Sequence, residues 1–299
     1  MYPPTSVLRR CQSLTILCIT ILSACSNQQI GPQPKPSDLV IIENKGSDTI
    51  VNLALAWAEA YQQYQPELSI SVTGGGSGTG IAAMINGTVD IANASRQIKP
   101  EEHDLALANG FEPYEIVVAR DAIAVIVNPS NPIDQLSIAQ ISDIFSGKVT
   151  NWRELGGEDR PIVRLSRETN SGTHVYFLEQ VLRKGDKEDK TLFSTDTLLL
   201  PSSEGISAEI RQNPNAIGYD GLGYVTDDLK VIAVAKEPAG PYVLPSPATV
   251  NSEEYPIARD LYMYTIGEPT GEIKTYIDWI LAADAQKIVS SLGFVPITH

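Results

Sequence analysis

The sequence predicts an α/β protein of two lobes, and three observations carry that reading. From residue 39 onward, short apolar runs of strand character alternate with segments whose apolar residues recur at helical spacing. The runs at 121–129 and 255–265 are long enough to cross between lobes and return. The tripeptide Ser-Gly-Thr stands at 77–79 and again at 171–173, each time after a strand and before a helix.

At the N-terminus, Arg9 and Arg10 precede an apolar run over residues 13–24 that is too short to span a bilayer and suits a signal segment. The run ends in Leu22-Ser23-Ala24-Cys25, which resembles a bacterial lipobox. The expectation is a lipoprotein signal peptide at 1–24, lipidation of Cys25, and a polar, Pro-rich flexible tether at 25–38. Of the three cysteines, Cys11 and Cys18 fall in the segment to be removed, so the mature chain holds no disulfide and its core relies on packing.

The elements then follow in order. Residues 39–43 form a strand, and G-S-D-T leads into a helix over 50–64 with Ser47, Asp48 and Thr49 as capping candidates. A strand at 68–72 ends in the glycine loop T-G-G-G-S-G-T-G, followed by a helix over 81–86 that Gly87 closes. Residues 89–94 make the next strand, with Asp90 bracing it, and 121–129 the first crossing strand. "SIAQISDIFSG" reads as a helix capped by Ser137 and stopped by Gly147. "PIVRLSRETNSGTHVYFLEQVLRKG" gives strand, loop and helix, and "NAIGYDGLGY" and "VIAVA" give strands. After the returning strand at 255–265, "GEIKTYIDWILAADAQKIVSSLG" reads as one long helix. The lobes are expected at 39–120 plus 259–299 and at 121–258.

The 299 residues are 42% hydrophobic, ample for one large or two medium domains. A net charge of -14 argues against binding nucleic acid or an anionic membrane through a global field. An anion must then be held by local dipoles. The two Ser-Gly-Thr segments and Ser47-Asp48-Thr49 supply them, because helix starts present unpaired N–H groups and hydroxyls add donors. Arg167, in "SRETNSGT", offers a guanidinium fork, and Arg96 stands at a strand's C-terminal end, where open α/β sheets bind ligands. The glycine loop fails the dinucleotide pattern at Ile81, lacks the lysine of a P-loop, and fails the nucleophile elbow at Thr79. With three histidines in all and no metal-ligand spacing, neither a catalytic site, a metal nor a cofactor is expected. His103 and His174 read as solvent-facing, Trp152 as packing, and Tyr219 and Tyr224 as lining the strands between the lobes.

The ordered set "GSDTIVNLALAWAEAY", "TGGGSGTGIAAMINGTVDIANASR", "DAIAVIVNP", "IFSGKVTNW", "RETNSGTHVYF", "AIGYDGLGY" and "LGFVPI" resembles the PstS family of phosphate-binding proteins, from about residue 39 to the C-terminus. The resemblance implies a type II periplasmic-binding-protein fold, two α/β lobes joined by a two-strand hinge, with inorganic phosphate in the cleft. It implies a monomeric, lipid-anchored, extracytoplasmic receptor that serves the permease subunits and cytoplasmic ATPase of an ABC importer and makes or breaks no bond. The implied phosphate-binding residues are Ser47, Asp48, Thr49, Ser77, Thr79, Ser95, Arg96, Arg167, Ser171, Gly172 and Thr173. Some members carry an Asp, where this chain has Ser95-Arg96, that accepts the proton of hydrogen phosphate and so rejects sulfate. Here Asp48 is expected to serve, the alternative being that it only caps its helix. Another tetrahedral oxyanion (sulfate, molybdate, tungstate) and a phosphatase on the same fold are the competing readings.

Overall fold

A computed structural model describes residues 40–297. The expected signal peptide, Cys25 and the tether lie outside the described residues, as does His299. The chain divides after Ser37, and every element of the fold belongs to the unit Asp38–His299.

The strands are β1 (Val40–Gly46), β2 (Leu68–Thr73), β3 (Ile91–Ala94), β4 (Pro113–Val127), β5 (Gln135–Ser137), β6 (Val163–Arg167), β7 (Leu198–Leu200), β8 (Ala216–Gly221), β9 (Lys230–Val231), β10 (Ala233–Ala235) and β11 (Ala258–Ile266). The helices are α1 (Asp48–Tyr64), α2 (Ser77–Ile85), α3 (Pro100–Ala108), α4 (Ile138–Phe145), α5 (Gly172–Phe177), α6 (Ser203–Gln212), α7 (Pro247–Asn251), α8 (Gly271–Leu281) and α9 (Ala283–Ser291). One sheet runs in the order β2-β1-β3-β11-β4-β8-β6-β7, with β9 also paired to β4. β1 is parallel to β2 and β3, and β6 is parallel to β7 and β8. Between these parallel blocks, β11 and β4 run antiparallel to their neighbours.

The β4 strand links the two blocks. Its first part pairs with β11 and its second part with β8. It begins eight residues before the run read from sequence, since residues 113–120, "PYEIVVAR", expose one face and carry charge. From Asp121 on every residue is buried, which is the apolar run that the sequence displays. Ile116 and Val118 of β4 pack with Leu53, Trp57, Met263 and Ile280 in one core. Ile123, Val125 and Val127 pack with Phe145, Phe177, Tyr219 and Ile257 in another. The changeover between the cores falls at Arg120-Asp121 on β4 and near Arg259 on β11.

Local chemistry accounts for the elements that hold the site. α1 buries Ile50, Leu53, Ala54, Trp57, Ala58 and Tyr61, one stripe at helical spacing. Ser137 caps α4 reciprocally with Gln140, as read from the sequence. α2 starts at Ser77 rather than at Ile81, because Gly76 at φ 100° turns the chain directly from the loop into the helix. The last helix is broken: Ala282 is extended between α8 and α9. The break lets Gln286 donate to the Ile280 and Val118 carbonyls, and lets Trp57 donate to Ala285 O. "VIAVA" divides between β9 and β10, which belong to different sheets.

Gly46 closes β1 at φ 148°, and a Cβ there would overlap the carbonyl oxygen of Asn93. Its own carbonyl accepts from Gly76 N at 2.9 Å, and the following Ser47 N donates to Asn93 O at 2.8 Å. Gly46→Ala is therefore expected to lower unfolding free energy by more than about 2 kcal/mol in a denaturant titration, and an unchanged midpoint would refute this account.

Candidate functional site

Four strand-to-helix junctions meet at the C-terminal ends of the parallel strands: β1 to α1, β2 to α2, β6 to α5, and β7 to α6. Each turns through serine into a helix start: Ser47, Ser77, Ser171, and Ser202-Ser203. α5 continues at once into a π-helical turn at Leu178–Leu182. N-terminal dipole ends from both blocks therefore point into one region.

The two Ser-Gly-Thr segments touch. A Cβ on Gly172 would overlap Ser77 Oγ and lie 2.6 Å from Ser95 Oγ, so only glycine allows this approach. Ser77 Oγ accepts from Ser95 N at 2.9 Å and lies 3.2 Å from Ser95 Oγ. Thr49 Oγ1 and Thr173 Oγ1 share a hydrogen bond of 2.7 Å across the two blocks. Ser171 caps α5 by accepting from Thr173 N. Ser47 Oγ is buried without a partner among the described residues, a donor left over at a helix start.

Arg167 is almost wholly buried. It donates to Ser203 Oγ at 2.8 Å and Pro201 O at 2.7 Å, and its Nη1 lies 3.0 Å from Asp48 Oδ2. Asp48 does not cap its own helix; its Oδ2 accepts from Ser203 N as well, while its Oδ1 faces Gly74. The carboxylate of Asp48, in the first turn of α1, is thus engaged with Ser203 and Arg167.

Two of the eleven residues named from sequence stand apart. Thr79 Oγ1 donates to Gly75 O at 2.7 Å on the outer side of the loop. Arg96 turns to α3, where its Nη atoms meet both oxygens of Glu102 at 2.8 and 2.6 Å and pull that carboxyl below its usual range against burial. Arg96 still walls a cavity of about 620 Å³ beside the cluster, with Lys99, Tyr176, Arg183, Arg259 and Tyr262. His174 is buried, not solvent-facing: it stacks on Phe193 and meets Ser166 Oγ at 3.0 Å, and burial lowers its pKa. Tyr224 reaches the cluster by donating to Asp48 O, whereas Tyr219 stacks on Phe177 in the second core. Trp152 packs in that core, and Asp90 braces β1 by accepting from Glu43 N.

Sequence reasoning missed Arg259, Asp121, Asp220, Ser203 and Asn170. Arg259 and Asp121 are register partners on β11 and β4 and form a buried ion pair at 2.9 Å. Arg259 also donates to Ser95 O and Thr173 Oγ1, each at 2.9 Å. Burial raises the Asp121 carboxyl above its ordinary range, with Arg259 and the Leu222 N–H opposing the rise. Asp220 is also fully buried; its Oδ1 accepts from Ser203 Oγ and Gly221 N, each at 2.8 Å. Asn170 joins the blocks: its carbonyl accepts from Gly78 N and its Nδ2 donates to Gly75 O. Two signals were available, Ser202-Ser203 as another strand-to-helix serine junction and Asn170 directly before Ser-Gly-Thr. Among the described residues no three His, Cys, Asp or Glu side chains gather as a metal ion would need, and no helix is long and apolar enough to cross a membrane.

Residues 32–284 match the family model described as PBP superfamily domain. The Phosphate-binding protein PstS of Pseudomonas aeruginosa is 31% identical over 86% of this chain and 83% of its own length. The Phosphate-binding protein PstS of Bacillus subtilis is 34% identical over 85% of this chain and 79% of its own. A Clostridium perfringens crystal structure, described as a phosphate ABC transporter substrate-binding protein with bound phosphate, superposes with a TM-score of 0.77 at 32% identity over 86% of this chain and all of that one.

The Arg259 network sets a stability expectation. Arg259→Met leaves Asp121 charged and buried with its main partner gone, so it should cost about 3 kcal/mol or more in denaturant unfolding. A loss below about 1 kcal/mol would show that the pair does not hold the crossing strands together.

Proposed function

The chain belongs to the PBP superfamily and, within it, to the PstS family of phosphate-binding proteins, and from that premise we propose that it captures inorganic phosphate and delivers it to the permease of an ABC importer. The observation that carries this reading is the contact between the two Ser-Gly-Thr helix starts, Gly172 against Ser77 and Ser95, beside Arg167. Hydroxyls, helix N–H groups and one guanidinium form a donor set for a tetrahedral oxyanion. They need no global field, which at -14 would repel the ligand.

In this reading the lobes are 39–120 plus 259–299 and 121–258, and they part about β4 and β11 to admit the anion. Ser47, Thr49, Ser77, Ser95, Ser171, Gly172 and Thr173 supply donors, and Arg167 supplies the charge. The Thr49–Thr173 pair exchanges its mutual hydrogen bond for bonds to the ligand. Arg96 and Thr79 act from behind the ligand shell, Arg96 in the wall of the neighbouring cavity. Asp48 accepts the proton of hydrogen phosphate through Oδ1, so sulfate, which has no proton to give, is disfavoured. The protein works as a monomer, tethered outside the cytoplasm by lipid on Cys25, and turns nothing over.

Phosphate at a hundredfold excess over Kd should stabilise the chain by about 2.7 kcal/mol, seen as a rise in melting temperature, while sulfate at the same concentration should give little. No rise with phosphate would sink the proposal; an equal rise with sulfate would favour a broader oxyanion receptor. Ser77→Ala should weaken phosphate binding by about tenfold, the worth of one hydrogen bond to a charged group. Asp48→Asn should narrow the gap between phosphate and sulfate affinities, and an unchanged gap removes Asp48 from that role. Cys25→Ser should shift the protein from the membrane to the soluble fraction; retention on the membrane would contradict lipidation there.

A further inference from the structure

A second carboxyl stands behind Arg167, outside the donor set proposed for the anion. Asp220 sits on β8, fully buried, two hydrogen bonds from Arg167 of the proposed ligand shell. Ser203 is the link: its Oγ accepts from Arg167 Nη1 at 2.8 Å and donates to Asp220 Oδ1 at 2.8 Å. Ser203 N meanwhile donates to Asp48 Oδ2, the atom that also meets Arg167 Nη1. Asp48 and Asp220 thus flank the same guanidinium. Asp220 Oδ2 is buried with no hydrogen-bond partner among the described residues. A lone ionised oxygen there is costly, and a neutral carboxyl removes most of that cost.

The ionisable groups that act on Asp220 are Arg167 on β6, Asp121 on β4, and Tyr219 and Tyr224 on and after β8, with Asp48 at the start of α1 and the exposed Glu204 on α6 facing the same Tyr224. Asp48 and Asp121 balance Arg167 and Arg259. With the exposed Glu204 set aside, an ionised Asp220 adds one negative charge to these two ion pairs, and a protonated Asp220 adds none.

We propose that Asp220 is a positioning residue for anion binding that carries a proton in the ligand-bound state, keeping Arg167 available to the ligand, and that its ionisation weakens anion affinity. This rests on the phosphate reading above. Burial pushes the Asp220 carboxyl up to about 7, with Arg167 opposing, so the change falls at neutral pH. The sign follows from the charge. Below that pH the proton is in place before the anion arrives. Above it, binding must take up a proton or seat the anion beside an added carboxylate, so affinity falls as pH rises.

The test compares phosphate affinity of the full chain with that of Asp220→Asn by calorimetry between about pH 6 and pH 8. Asparagine keeps the acceptor for Ser203 and Gly221 and cannot ionise. Phosphate's own titration is common to both proteins and cancels in the ratio of their Kd values. That ratio, wild type over variant, should rise by about tenfold across the range. A purely structural role would shift it equally at every pH. A ratio that stays constant while phosphate binds overturns the role of Asp220 alone; no phosphate binding by either protein at any pH overturns the phosphate reading itself. Carboxyl carbon NMR of the wild-type chain is independent of the variant's folding. One aspartate should titrate near neutrality without phosphate and at higher pH with it. Aspartates that all titrate below about pH 5 would refute the proposal.

Discussion

The Arg259–Asp121 ion pair lies at the one place where two hydrophobic cores, two crossing strands and the candidate site all meet. β4 and β11 carry apolar residues into one core before that point and into the other after it. A continuous apolar strand would have fused the cores. A buried charge pair separates them, and its geometry is tightly specified because each remaining donor must find an acceptor. Those acceptors are Ser95 O in one block and Thr173 Oγ1 in the other. One guanidinium thereby orients a residue from each Ser-Gly-Thr neighbourhood.

The same arrangement explains how an acidic chain can present an anion site. Its donors are backbone N–H groups and hydroxyls at helix starts, with partial charges fixed by the fold. Arg167 and the neighbouring Arg259 are buried and each paired with a carboxylate, so they add little long-range field. Attraction is confined to contact range. The cavity beside the cluster mixes both signs, with Lys99, Arg183 and the Glu102-paired Arg96 facing Glu179, Asp186 and Asp260.

What could be read in the sequence was what is written locally. A strand, a serine and a helix start occupy a few adjacent residues, so the junctions at Ser47, Ser77 and Ser171 were legible, as was the capping of α4 by Ser137. Arg259, Asp121 and Asp220 were not, since each is a lone charged residue in a strand and its meaning comes from register with a strand far away in sequence. Nor does a local pattern tell which way a hydroxyl faces: Ser77 turns inward while Thr79, two residues on, bonds back to its own loop. The break at Ala282 was hidden for a similar reason. The alanine-rich stretch around it favours helix, and the interruption is supported by contacts of Gln286 and Trp57 made elsewhere in the fold.

Asp48 gives the Arg167 guanidinium a resident anion, its carboxylate held 3.0 Å away by the fold. On the proposed reading an incoming anion shares Arg167 with that carboxylate. A tetrahedral oxyanion can engage several helix starts at once and give a proton to Asp48, which a spherical ion such as chloride cannot do. The ion pair thus works as a threshold, giving up some affinity for every anion in return for silence toward the abundant ones.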